Sequence, residues 1–384
     1  MSENKGKNIL VLAGIFDGHI PGIFEIIKDL KSLGHNITCY VLDKYEERLK
    51  MTNVKLIPYS TGKIEIPPGL PKVALLNFHF TKCIEEILSL AVKSEQKYDY
   101  LLYDSLFDGN EINKIFKIPK IVAIYVFPVG EMSPFMKNTV DKRMLALIPI
   151  NKKYNLNLRD FITIHHKGEA KYKLILTSRL FHIETKIVDN TFYFIGPSID
   201  KRPIDNSFNF KKDENKKLIY ISLGTVFNEN FNFYQICIET FGNLKEFQII
   251  ISIGNNIKVN DLGQLPDNIY AFNYVPQLQV LKMTDIFITH GGINSINEGI
   301  FMNNNLSFIV IPQEMDQFDN AKQIEKLGAG IALDIKNINQ EILKNAVFEI
   351  LENPDKYRKG IEMIMKSFKE AREERKAIYE KIFV

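Results

Sequence analysis

With 384 residues, 45% of them hydrophobic and 25% charged, the chain is long enough for two domains and has the balance of a globular protein with a sizeable core. Its 49 basic and 46 acidic side chains leave a net charge of only +3, and no basic cluster is interleaved with aromatics, which excludes nucleic acid as an expected partner. Cys39, Cys83 and Cys237 are odd in number, far apart and set in apolar surroundings, so free thiols in a reducing compartment are expected. The run before Asp17 holds only about eight apolar residues and no cleavage pattern, which predicts a cytoplasmic protein without a membrane span.

Asn8 to Phe16 is an almost continuous apolar run of strand length, as a parallel strand buried on both faces requires, and it ends in Asp17-Gly18-His19. From Ile20 onward Ile23, Ile26, Ile27, Leu30 and Leu33 recur at helical spacing, and Gly34 is the stop signal. Ile37 to Leu42 predicts the second strand. The rhythm continues with a helix over Val73–Val92, a strand over Tyr98–Asp104, a helix over Glu111–Phe116 and a strand over Ile121–Phe127. Pro128 to His166 breaks this alternation and mixes Met, Phe and Pro with charge; only Asp141–Tyr154 reads as helical. The segment suits either an adaptable apolar acceptor pocket or a lid of ordinary helices. Tyr172–Ser178 and Thr191–Ile195 resume strand patterns. Gly196 to Phe210 has turn residues and no periodic apolar face, as a linker would. Strands then fit Leu218–Leu223, Phe247–Ile253, Ile269–Tyr274, Ile286–Thr289 and Phe308–Ile311, and the chain is charged and helical from Pro354. The fold class is therefore α/β, with two doubly wound parallel sheets.

The densest signal lies at Thr289 to Gln317, THGGINSINEGIFMNNNLSFIVIPQEMDQ. A strand ends in His290, Gly291 and Gly292, and a helix starts near Asn294 and Ser295, either of which is a natural cap. Glycines that admit a close ligand and a helix N-terminus with outward N–H groups suit a phosphate. Glu314, Asp316 and Gln317 follow the next strand, where acceptor-rich side chains suit sugar hydroxyls. Phosphate donors beside such acceptors suggest a nucleotide sugar.

These residues resemble the inverting UDP-sugar glycosyltransferases, the family of the macrolide glycosyltransferases and the UDP-glucosyl and glucuronosyl transferases. The shared pattern HGGxNSxxEG, then PQxxDQ and NA, stands here as His290 to Gly299, Pro312, Gln313, Asp316, Gln317, Asn320 and Ala321. Where the family has Gly-x-Pro before the second strand, this chain has Asn304, Asn305 and Leu306. The resemblance implies a GT-B fold, two Rossmann-like domains facing a cleft: an acceptor domain at 1–200, a linker at 201–212, a UDP-sugar domain at 213–365 and a helix at 366–384 returning to the first domain.

It also implies roles for single residues. Gly224 and Thr225 of Ser222-Leu223-Gly224-Thr225, with Gly292, Asn294 and Ser295, would hold the diphosphate, and His290, as the imidazolium, would neutralise the departing UDP. Glu298, one turn after Asn294, would take the ribose hydroxyls. Tyr274-Val275-Pro276-Gln277 matches the family's W-x-P-Q, with Tyr274 as the stacking ring, the Val275 backbone facing uracil and Gln277 completing the donor set. Asp316 and Gln317 would take the sugar hydroxyls.

On the acceptor side, His19 has the residue type for a general base near neutral pH, and Asp104 at another strand end could orient it, with Asp108 as the fallback. The family's GHxxP-like segment appears as Gly18-His19-Ile20-Pro21, its proline shifted. His35 suits a local role after a helix, and His165 and His166 suit the surface. No Asp-x-Asp occurs, so no metal and no cofactor are expected; the UDP-sugar is a co-substrate and the other partner an apolar hydroxylated small molecule. The expected reaction is transfer of a hexose, glucose first. The rivals are a nucleotide-sugar epimerase and a non-catalytic helper of the same fold.

Overall fold

A computed structural model describes residues 6–61, 72–126, 129, 147–159, 170–199, 208–225, 228–314 and 316–384. Most of the irregular 128–166 segment, including His165, His166 and the first part of the helix expected from Asp141, and the centre of the expected linker lie outside the described residues. The chain divides into two compact units. One comprises 1–178, 184–198 and 371–384, and the other comprises 179–183 and 199–370.

The first unit is built on β1 (Asn8–Leu12), α1 (Ile20–Ser32), β2 (Asn36–Leu42), α2 (Glu46–Lys50), β3 (Lys55–Tyr59), α3 (Lys72–Lys93), β4 (Tyr100–Asp104), α4 (Gly109–Phe116), β5 (Lys120–Tyr125), α5 (Ile148–Tyr154), β6 (Tyr172–Ile175) and β7 (Phe192–Phe194). Its parallel sheet has the order β3-β2-β1-β4-β5-β6-β7. β1 and β4 are buried through their apolar residues, as strands covered on both faces must be. The strand predicted to reach Phe16 leaves the sheet after Leu12, and Ala13 to Gly18 carry the chain to α1. α1 starts with Pro21 in its first turn and buries Ile20, Ile23, Ile26, Ile27 and Leu30 along one stripe.

The second unit runs through β8 (Lys217–Ser222), α6 (Phe231–Phe241), β9 (Phe247–Ser252), β10 (Ile269–Phe272), α7 (Gln277–Leu281), β11 (Ile286–Thr289), α8 (Ile293–Met302), β12 (Ser307–Val310), α9 (Gln317–Lys326), β13 (Gly330–Ala332), α10 (Gln340–Glu352) and α11 (Pro354–Glu373), the last of which passes into the first unit at Ala371. Its parallel sheet has the order β10-β9-β8-β11-β12-β13. Ile219, Ile221, Ile249, Ile251, Ile288 and Ile309 pack one face against Phe233, Cys237, Phe241, Leu343 and Val347. Each such side chain contributes about 1.5–3 kcal/mol by leaving water. Residues 179–183 belong here too: Phe181 packs edge-on against Phe368, and the Gln323 amide donates to the Phe181 and His182 carbonyls at 3.1 and 3.0 Å.

The last helix, α12 (Arg375–Ile382), belongs to the first unit. Its Arg375 is buried and its guanidinium donates to the Ile195, Gly196 and Pro197 carbonyls and to the carboxylates of Glu25 and Asp29 on α1. All three cysteines are buried free thiols. Among the described residues no helix is long and apolar enough to cross a membrane.

Candidate active site

In each sheet the strand order reverses beside its first strand, between β1 and β4 in one unit and between β8 and β11 in the other. Ligands of doubly wound sheets bind outside the carboxyl ends of the strands at such points. The sequence places its chemistry there twice.

In the first unit, β1 and β4 are in register from Ile9 with Tyr100 to Leu12 with Tyr103, so the residues leaving β1 meet Asp104 at the end of β4. His19 is the N-cap of α1, and its Nδ1–H donates to Asp104 Oδ2 at 2.5 Å, with both residues buried. Leu106 N–H donates to the other Asp104 oxygen at 3.0 Å and fixes the carboxylate. An Nδ1–H held in this way leaves the basic lone pair on Nε2. Gly14, which the sequence reading passed over, makes the pairing possible: a Cβ there would overlap Asp104 Oδ2 and crowd His19 Cβ at 3.0 Å. Asp108 is committed elsewhere. It caps α4 through Glu111 N–H and takes a fork of hydrogen bonds from Arg159, Nε at 2.9 Å and one Nη at 3.1 Å. Asp104, and not the fallback, is the partner of His19.

In the second unit, Thr289 pairs with Ser222, so the turns that follow β8 and β11 are neighbours. Gly224 (φ 79°) and Gly291 (φ 84°) adopt left-handed backbone that side chains disfavour. Cβ atoms on Gly224 and Gly292 would come within 2.6 and 2.5 Å of the His290 ring, so the two glycines form its walls. Although an edge of His290 stays accessible, this packing desolvates the ring and lowers its pKa to about 4, against the opposing effect of a hydrogen bond to the Ser222 backbone. His290 is therefore neutral near pH 7. The expected cap moves as well: Gly292 is the N-cap of α8, no side chain caps the helix, and Asn294 and Ser295 stand half-buried in its first turn. Thr225 is exposed beside them.

Tyr274 is 74% exposed, so it is not the core residue that aromatics at strand ends usually are, and Val275 behind it is buried. Gln277 and Glu298, read separately from the sequence, are joined: Gln277 Nε2 donates to Glu298 Oε2 at 2.6 Å and reaches Ser295 Oγ at 3.4 Å. Asp316 Oδ2 accepts from Asn320 Nδ2 at 2.8 Å, and the same nitrogen donates to the Gly291 carbonyl at 2.9 Å, which ties the start of α9 to the glycine turn. Gln317 Oε1 accepts from the backbone N–H groups of Gln313 and Glu314 at 2.9 and 3.1 Å. Its oxygen is spent on holding the loop, and what it can offer a ligand is its NH2.

Residues 238–371 match the family described as Erythromycin biosynthesis protein CIII-like, C-terminal domain. Over 386 residues the chain is 30% identical to the Bacillus subtilis protein named uncharacterized UDP-glucosyltransferase YdhE, covering 95% of each. It is 29% identical over 370 residues to another from the same organism, named uncharacterized UDP-glucosyltransferase YojK, covering 90% of each. Among solved structures, the glycotransferase of kitacinnamycin superposes with a TM-score of 0.76 over 98% of this chain and 99% of that one, at 23% identity, a likeness of fold.

Proposed function

The chain belongs to the UDP-glucosyltransferase family of GT-B glycosyltransferases, and from that membership we propose that it transfers glucose from a UDP-sugar to a hydroxyl of an apolar small molecule, with inversion at the anomeric carbon and no metal. The observation that carries the catalytic half of this reading is the buried His19–Asp104 pair at the crevice between β1 and β4. His19 Nε2 removes the acceptor proton as the acceptor oxygen bonds to the anomeric carbon, and UDP departs with the electron pair of the broken bond. Asp104 stabilises the imidazolium that forms. In the second unit, Thr225, Asn294, Ser295 and the N–H groups opening α8 receive the diphosphate beside the His290 ring, which Gly224 and Gly292 flank. Tyr274 stacks on uracil, the Val275 backbone meets its edge, and Gln277 with Glu298 holds the ribose. Asp316 accepts from the sugar hydroxyls, and Gln317 donates to them.

Incubating the protein with UDP-glucose and a panel of apolar alcohols and phenols in the presence of a chelator tests the whole reading. Products whose mass is acceptor plus one hexose are expected. A strict metal requirement, or hydrolysis or epimerisation of the donor without transfer to any acceptor, would overturn it.

His290 gives this reading a pH dependence. A phosphate beside the ring favours the protonated imidazole, in which both nitrogens donate. A bound dianion raises the pKa from about 4, and binding therefore captures a proton. UDP affinity should fall as pH rises through the pKa of the bound state. Calorimetry at one pH in buffers of different ionisation enthalpy should show net proton uptake in the wild type and less of it in His290→Gln; equal uptake in the two would remove His290 from the phosphate site.

A further inference from the structure

A buried phenol stands behind the Gln277–Glu298 pair. Tyr220, on β8, is 1% exposed and stacks on Phe287 of β11 with ring centroids 4.8 Å apart and planes 10° from parallel. Its O–H donates to Gln277 Oε1 at 3.0 Å, while Gln277 Nε2 donates to Glu298 Oε2 at 2.6 Å. The chemistry of the three groups fixes the direction of this chain. A carboxylate only accepts, so the amide must turn its NH2 towards Glu298, and its oxygen is then held by the Tyr220 hydrogen.

We propose that Tyr220 is a positioning residue for ribose recognition: through Gln277 it fixes the Glu298 carboxylate in the orientation that distinguishes a ribonucleotide donor from a 2′-deoxyribonucleotide one. The proposal rests on the reading of Glu298 as the ribose acceptor. Glu298 is 8% exposed and lies on α8, whose first turn faces the proposed diphosphate, so a small rotation of its carboxylate alters what it offers a 2′-hydroxyl. Tyr220 touches no ligand itself. Its removal leaves Gln277 Oε1 without its donor, and an amide that turns to satisfy its oxygen withdraws its NH2 from Glu298.

The test is the pair of dissociation constants for UDP and 2′-deoxy-UDP, measured by calorimetry on the full chain as wild type and as Tyr220→Phe. The wild type should prefer UDP by about tenfold, the worth of one to two hydrogen bonds, and Tyr220→Phe should compress that preference below about threefold by weakening UDP while 2′-deoxy-UDP changes by less than about twofold. A general loss of structure would weaken both nucleotides alike and leave the ratio untouched. If Tyr220→Phe melts below the assay temperature, the two constants are measured below its melting point, where the ratio should compress in the same way. A folded Tyr220→Phe that keeps the full preference overturns the relay and leaves the ribose reading standing. A wild type that does not discriminate overturns the ribose reading, and the relay falls with it.

Discussion

Replacing His19 with alanine is expected to lower turnover of an aliphatic alcohol by about a hundredfold to ten-thousandfold while leaving UDP affinity within about twofold. The separation follows from placement: His19, at the start of α1, and Asp104, at the end of β4, belong to the first unit, whereas the proposed UDP contacts belong to the second. A phenol, with a pKa of about 10, surrenders its proton more readily and should lose less. Asp104→Asn should be damaging as well, because an amide NH2 facing Nδ1 favours the tautomer that carries its hydrogen on Nε2, where the base must be empty. The measurement is the ratio of mutant to wild-type kcat for the two acceptor types alongside the Kd for UDP. Near-normal turnover of the aliphatic alcohol by His19→Ala would remove His19 from the chemistry, even if the donor site survived intact.

The second large effect concerns stability. Arg375→Met should lower the stability of the first unit by about 3–5 kcal/mol, because it removes the main counter-charge of the Glu25 carboxylate, 1% exposed, and the donor to the Ile195 and Gly196 carbonyls, while the Pro197 carbonyl keeps Arg372. Arg375→Lys should recover only part of the loss, since an ammonium cannot reproduce a fork that serves Glu25 and three backbone oxygens together. Breaking the exposed Lys366–Glu370 pair on α11 with Lys366→Ala should change stability by less than about 1 kcal/mol. Urea unfolding followed by a probe in each unit would read the difference. A shift for Arg375→Met no larger than that for Lys366→Ala would contradict the assignment.

Much of this was readable from the chain because parallel strands buried on both faces announce themselves as apolar runs, and because glycine turns and phosphate-binding helix starts constrain residue type. β1, β4, β9 and β11 fell within predicted strands, and β8 and β12 begin one residue before theirs. β3 and β13, at sheet edges, went unseen: β3 carries Lys55 and Pro58 with half-exposed residues between, and β13 has three residues, so neither offers a periodic pattern. Within the site, residue types were visible and pairings were not. Nothing local separates Asp104 from Asp108 as the partner of His19; the register of β1 with β4 does, and so does the capture of Asp108 by Arg159. Tyr220 lay inside a predicted strand with nothing to mark its hydroxyl, Gly14 read as one more residue of a strand, and a glutamate on an apolar helix face gave no hint of an arginine 350 positions away.

The five residues from Arg179 to Ile183 carry a consequence for recombining this protein with its relatives. A chimera cut once, in the stretch after residue 199, would seem to exchange whole domains. It would instead give the second unit a foreign 179–183, and with it foreign partners for the Gln323 amide and the face of Phe368. The same cut would leave Arg372 and Arg375 to seek Glu25 and the 195–197 carbonyls on a first unit that did not evolve with them. A functional graft must therefore transplant a discontinuous set of segments, with four junctions in the chain rather than one.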